Sequence, residues 1–158
     1  CPPTPDLIMT AVGAIVENKL PPKGSVIGPL KSVCDECRFE KSEKKITKIK
    51  RVYEVDKLED KCLLEQGIIC MGPATRGGCE ARCLDANMPC TGFGGPTPNS
   101  LDQGAKMMSA LASILGIEGE EKMSDEEVEK LIEQVVDPVG TFYKYGLPSA
   151  LINRKVMK

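Results

Sequence analysis

Histidine and tryptophan are absent from the 158 residues, and only three tyrosines and three phenylalanines are present. Without histidine no Ser-His or Cys-His nucleophile can be assembled, and no Gly-rich loop leads into a Lys-Ser/Thr pair that would cradle phosphates. Independent catalysis is therefore not expected. Basic excess is also missing: 21 Lys plus Arg stand against 23 Asp plus Glu, a formal net charge of -2. A nucleic-acid binder neutralises phosphates with a surplus of cations, so nucleic acid is excluded as a partner class. No run approaches the roughly 18 apolar residues that cross a bilayer. The nearest, LIMTAVGAIV at 7–16, is broken by small residues and flanked by prolines. A soluble protein without a membrane or targeting segment is the expectation. A start methionine is lacking too, since the first residue is Cys1. The chain is read as processed or as part of a longer polypeptide, and its length suits one ordinary domain or a portion of one.

What is present in unusual amount is cysteine, eight residues in all. Disulfides, structural zinc and iron–sulfur ligation compete for them. Disulfide scaffolds are short secreted chains, whereas a Lys/Glu-rich helical tail without a signal peptide fits a reducing cytosol.

Residues 5–19 space apolar side chains for a helix, with Pro5 in its first turn and Asp6 complementing the dipole. Residues 40–50 are basic and polar and run into Ile46, Ile49, Val52 and Val55, whose alternation predicts a hairpin or a solvated loop with a short strand. From Cys62 to Pro98 the chain fills with Gly, Pro and Cys. Such a segment folds around something other than a hydrophobic core, and an inorganic centre would supply the organising contact. Asn99 or Ser100 then caps a helix that stops at Gly116, with Met107 and Met108 as core filling. Ser124 and Glu127 form a capping box for a further helix with Val128, Leu131, Ile132, Val135 and Val136 on one side, ending before Pro138. No internal repeat is evident.

Cys34 and Cys37 form a CxxC pair, the short spacing that lets two thiolates of one loop reach one metal or adjacent irons. Cys62, Cys70, Cys79, Cys83 and Cys90 follow. A zinc ion would use four ligands and leave three of these seven idle, while two adjacent clusters would employ nearly all. Gly72, Gly77, Gly78, Gly92, Gly94 and Gly95 can expose backbone N–H groups that hydrogen-bond to cluster sulfur. Spacing alone leaves clusters, zinc, disulfides and free thiols open.

At CPPTP (1–5), LEQGIICMGPATRGGCEARC (64–83), NMPC (87–90) and DPVGTFY (137–143) the sequence resembles the small subunit of nickel–iron hydrogenases. Within that family it looks most like the cytoplasmic, methyl-viologen-reducing type of methanogenic archaea, which partners heterodisulfide reductase. The resemblance runs nearly end to end and implies an electron-relay role. The nickel–iron site would lie in a separate large subunit, a small iron–sulfur adaptor subunit would join the complex, and the location would be cytoplasmic. A deazaflavin-reducing or sulfur-reducing hydrogenase of the same broad group is the alternative parent. A zinc-stabilised interaction module is the alternative of a different class.

The implied fold is α with much irregular structure: a loop-rich, cysteine-ligated iron–sulfur domain flanked by helices, following a flavodoxin-like domain mostly absent from this chain. Residues 1–30 would be the tail of that domain, 31–98 the cluster-binding region, and 99–158 the C-terminal helices packing on the partner subunit. By the same resemblance Cys1 matches a proximal-cluster ligand whose partners lie outside the chain. Cys34, Cys37, Cys62 and Cys70 match a distal 4Fe-4S set, and Cys79, Cys83 and Cys90 match a medial one. The fourth medial ligand of relatives falls at Phe93, so the medial centre is expected to be three-iron or incompletely cysteine-ligated. Asp85 is a conceivable substitute ligand, read rather as an exposed loop carboxylate.

Overall fold

The computed structural model describes residues 3–42, 46, 48–114 and 124–153, apart from the side chains of 125, 127, 128 and 131. Cys1, the Glu127 half of the expected capping box, and the Val128 and Leu131 side chains lie outside the described residues. Among the described residues there are five α-helices: α1 (Pro5–Val16), α2 (Arg82–Asp85), α3 (Gln103–Ala112), α4 (Asp125–Glu133) and α5 (Pro138–Phe142). Short 3-10 turns link them, and no β-strand occurs among the described residues. Pairing is confined to isolated bridges such as Ser32–Arg76 and Thr75–Pro96.

Pro5 opens α1 with its fixed φ, and Asp6 lies in the first turn where the dipole favours an anion. The helix stops at Val16, short of the expected Lys19, because Asn18 turns left-handed at φ 56. None of its residues is buried, and Ile8, Met9, Val12, Ile15 and Val16 face outward. Its anchor is the buried Thr4, whose hydroxyl donates to the Gly78 carbonyl at 3.2 Å.

The stretch 46–55 forms no hairpin. Buried Ile46 donates its N–H to the Ile114 carbonyl at 2.8 Å, Lys50 donates to Gly67, and Val52–Glu54 is a 3-10 turn. The apolar residues are clasped singly by other loops instead of pairing with each other.

The core gathers Val33, Leu63, Leu64, Ile68, Met71 and Ala74 from the loops with Met107 and Leu111 of α3 and Phe142 of α5. Each large apolar side chain withdrawn from water stabilises the fold by about 1.5–3 kcal/mol. Met107 is wholly buried, whereas Met108 is exposed, so only one of the two fills the core. The cap of α3 is Asp102, not Asn99 or Ser100: its Oδ1 accepts the Ala105 N–H at 2.8 Å and its Oδ2 the Leu151 N–H at 2.7 Å. α3 thereby packs across the Gly72–Ala74 turn and α5 while tethering the C-terminal segment. α4 ends at Glu133, and Pro138 then opens α5 under an Asp137 cap, which accepts from Gly140 at 2.8 Å.

Candidate metal centre

Val33–Asp35 forms a 3-10 turn that presents Cys34 and Cys37. Ser32 caps it, its N–H and hydroxyl donating to Asp35 Oδ2 at 2.7 and 2.9 Å, and these bonds hold the Asp35 carboxyl below its usual range. Buried Val33 anchors the turn and donates its N–H to the Thr75 carbonyl at 2.9 Å. Across the turn stands Gly72. A Cβ there would lie 3.1 Å from Cys34 Sγ and 3.6 Å from Cys70 Sγ. The absent side chain is what lets two thiols from distant loops approach one point. Cys62 and Cys70 are buried in the shared core, and Cys37 packs against it half-buried.

Burial pushes the Cys70 thiol up to about 12, against the opposing pull of the Gly72 and Cys90 N–H groups. The Cys90 N–H reaches Cys70 Sγ at 3.3 Å, and the Cys90 carbonyl accepts from Met71 at 2.9 Å. The second group of cysteines is thus seated directly against the first.

That second group lines a cavity of about 300 Å³. Cys79, Cys83 and Cys90 all face it, together with Thr75, Arg76 and Phe93. Burial raises the Cys90 thiol, opposed by the Gly92 N–H and the Thr75 hydroxyl, while Cys79 and Cys83 add like charge. Between Cys79 and Cys83 the backbone is strained: Glu80 and Ala81 are both left-handed, at φ 57 and 50. Each such residue costs about 1–2 kcal/mol and persists only where the surroundings impose it. Phe93 stands at the cavity wall with its ring half exposed, edge-on to Tyr145 at 5.3 Å. Asp85 is held elsewhere: Arg38 Nε lies 3.5 Å from its Oδ1, and it does not line the cavity.

Two side chains that sequence reasoning overlooked organise this region. Gln103, buried in the first turn of α3, directs Nε2 at Thr75 Oγ1 (3.0 Å) and the carbonyls of Gly92 (2.9 Å) and Gly95 (3.2 Å). It clamps the loop that carries Cys90 to the one that carries Thr75. Glu36, inside the CxxC pair, accepts the Gly78 N–H at 2.6 Å. The only sequence signals were a glutamine just after a helix cap and an acid between two cysteines.

A mononuclear site needs three or four ligands converging on one point. No such group of His, Cys, Asp and Glu occurs among the described residues, and no disulfide joins the seven described cysteines. What Cys79, Cys83 and Cys90 share is a cavity, with three thiols on its wall and the Gly92 N–H turned toward the Cys90 sulfur. That donor set fits a polynuclear, sulfur-bridged group.

Fold and site together define a thiol-lined scaffold, a chain with little regular structure in which Cys79, Cys83 and Cys90 share a cavity and Cys70 adjoins both Cys90 and Cys34. No family model matches the chain. Among curated proteins it is 40% identical over 165 residues to the iron-sulfur subunit of the F420-non-reducing hydrogenase of Archaeoglobus profundus, matching all of this chain and 49% of that protein. It is 44% identical over 161 residues to a subunit of the F420-non-reducing hydrogenase of Methanothermobacter marburgensis, covering 50% of it. A like-named protein of Methanothermus fervidus is 46% identical over 127 residues, which is 98% of that protein and 78% of this chain. The chain belongs to this family of F420-non-reducing hydrogenase subunits, components of an oxidoreductase complex. It spans about half the length of the Archaeoglobus and Methanothermobacter relatives it matches. No described helix is long and apolar enough to cross a membrane.

Proposed function

We propose that this chain is the cluster-bearing portion of a hydrogenase small subunit, relaying electrons from dihydrogen oxidation in a nickel–iron large subunit toward an acceptor. The acceptor would be heterodisulfide reductase, reached through a small iron–sulfur adaptor, in a cytoplasmic complex of the methyl-viologen-reducing type. Support comes from family membership and from one observation above others: Cys79, Cys83 and Cys90 surround one cavity, and Cys90 hydrogen-bonds to Cys70 of the neighbouring group. The relatives' names, which specify F420-non-reducing, favour this type over the deazaflavin-reducing parent.

In this reading Cys34, Cys37, Cys62 and Cys70 hold a distal 4Fe-4S cluster, and Cys79, Cys83 and Cys90 a medial one that is 3Fe-4S or lacks a thiolate at Phe93. Cys1 would join a proximal cluster completed by residues outside the chain. The bound clusters supply one-electron redox steps. The chain's own residues fix the thiolates, exclude water from them, and aim N–H donors at sulfur, each of which sets the potential. The side chains of Ile8, Met9, Val12, Ile15 and Val16 on α1, exposed in this chain, suit the tail of a flavodoxin-like domain covered by the rest of that domain.

Anaerobic purification followed by iron, acid-labile sulfide and zinc analysis tests the reading. A brown protein with iron and sulfide in near equal amounts is expected. A colourless protein with stoichiometric zinc would overturn it in favour of a zinc-stabilised interaction module.

A further inference from the structure

Glu36 carries a largely buried carboxylate that bridges the Cys34–Cys37 turn and the turn leading into Cys79. Its side chain is 9% exposed and sits within the Cys34–Cys37 turn. Oε1 accepts the Gly78 N–H at 2.6 Å, immediately ahead of Cys79, and lies 3.2 Å from Lys31 Nζ. The approach is tight. A Cβ on Gly77 would stand 2.9 Å from both Glu36 Oε1 and the Ser32 carbonyl, and one on Gly78 (φ 98) would stand 2.8 Å from Pro29. Oε2 is buried with no hydrogen-bond donor among the described residues. A buried carboxylate satisfied at only one oxygen is costly to keep, so a fold that retains it calls for an explanation.

We propose, resting on the reading of these cysteines as cluster ligands, that Glu36 is the positioning residue that couples the two groups. Its carboxylate fastens the Gly77–Gly78 turn that delivers Cys79 onto the turn that carries Cys34 and Cys37, and it holds one fixed negative charge between the two centres. Two consequences follow from elementary electrostatics. Negative charge near a cluster disfavours the added electron, so Glu36 lowers both potentials. Lys31 offsets part of that charge, but its ammonium is half exposed and screened by solvent.

The test uses the full subunit in its complex, purified without oxygen, as wild type, Glu36→Gln, Glu36→Ala and Lys31→Met. Iron per subunit, the potential of each centre by redox titration monitored by paramagnetic resonance, and hydrogen exchange of the peptide spanning 74–82 are read. Glu36→Gln keeps an acceptor for the Gly78 N–H and loses the charge. Both potentials rise while iron content and amide protection stay at wild-type levels. Lys31→Met moves both potentials the opposite way. Glu36→Ala exchanges about tenfold faster at Gly78 and loses iron from the Cys79, Cys83 and Cys90 centre in preference to the other. Wild-type exchange in Glu36→Ala overturns the fastening role, and unchanged potentials in both charge variants overturn the electrostatic one. If the wild-type complex holds zinc and no iron, the cluster reading fails, while faster Gly78 exchange in Glu36→Ala still demonstrates the clasp.

Discussion

The backbone N–H of Cys90 donates to the Sγ of Cys70 at 3.3 Å, so a residue of one cysteine group solvates the sulfur of the other. Both residues are buried, and a donor left without its acceptor there costs about 1–3 kcal/mol. Cys70→Ala therefore removes a proposed distal ligand and also frees the loop of Cys90. Iron loss from the distal set is expected together with a broadened resonance signal from the medial centre. Cys70→Ser retains an acceptor and confines the damage to the distal set. Equal effects of the two substitutions on the medial signal would show that this bond is not what joins the groups.

Phe93 supplies a second prediction. Its ring lines the cavity of Cys79, Cys83 and Cys90 at the position where a fourth thiolate is expected from the resemblance. A three-iron cluster is paramagnetic when oxidised and an ordinary four-iron one is not, so the oxidised wild-type protein should give a resonance signal that Phe93→Cys abolishes, with about one more iron per chain. Losing the edge-on contact with Tyr145 costs about 0.5–1.5 kcal/mol, too little to unfold the domain. A four-iron medial centre in the wild type would contradict the prediction.

Gln103 carries a third. Its amide nitrogen faces three oxygens, those of Thr75, Gly92 and Gly95, with Thr75 in turn donating to the Met71 carbonyl at 2.6 Å. Gln103→Glu would aim a carboxylate at acceptors, turning attraction into repulsion inside a buried site. It is expected to lose iron from the Cys90 group and to cost more than Gln103→Leu, which only leaves acceptors unsatisfied at about 1–3 kcal/mol. Thermal unfolding and iron content of the two variants check the order.

These clamps mark where the sequence stops being legible. α1 was readable because Pro5, Asp6 and a helical apolar spacing act within one turn of one another, and its early end follows from Asn18, which spacing does not register. Of the two readings of the 46–55 segment, the loop held and the hairpin did not, because alternation measures burial, not pairing. Ile46 is buried and bonded to Ile114, far along the chain, which no local pattern encodes. Ser100 satisfied the cap rule as well as Asp102, and the tie is broken only by the Leu151 N–H that Asp102 also reaches. Among the cysteines the CxxC pair is local and was visible. The meeting of Cys34 with Cys70 over Gly72 depends on a missing side chain between two loops, and the roles of Glu36 and Gln103 rest on contacts between residues distant in the chain.

Asp102 yields a pH prediction. Burial alone would raise its carboxyl, but the N–H groups of Ala105 and Leu151, the Tyr143 hydroxyl and the Gly104 N–H outweigh that and hold it below its ordinary value. Burial and the neighbouring carboxylate push the Tyr143 hydroxyl the other way, up, so it stays a donor. A carboxyl with a lowered folded-state pKa binds its proton more weakly folded than unfolded. Its contribution is complete above the unfolded value of about 3.9 and is lost as pH falls through the folded one. Asp102→Asn should thus cost about 1–2 kcal/mol near neutral pH, and its deficit against wild type should shrink as the medium is taken below about pH 4. Urea unfolding of both proteins across that range measures the deficit. If it stays constant with pH, the tether between α3 and Leu151 does not draw its strength from the charge of the carboxylate.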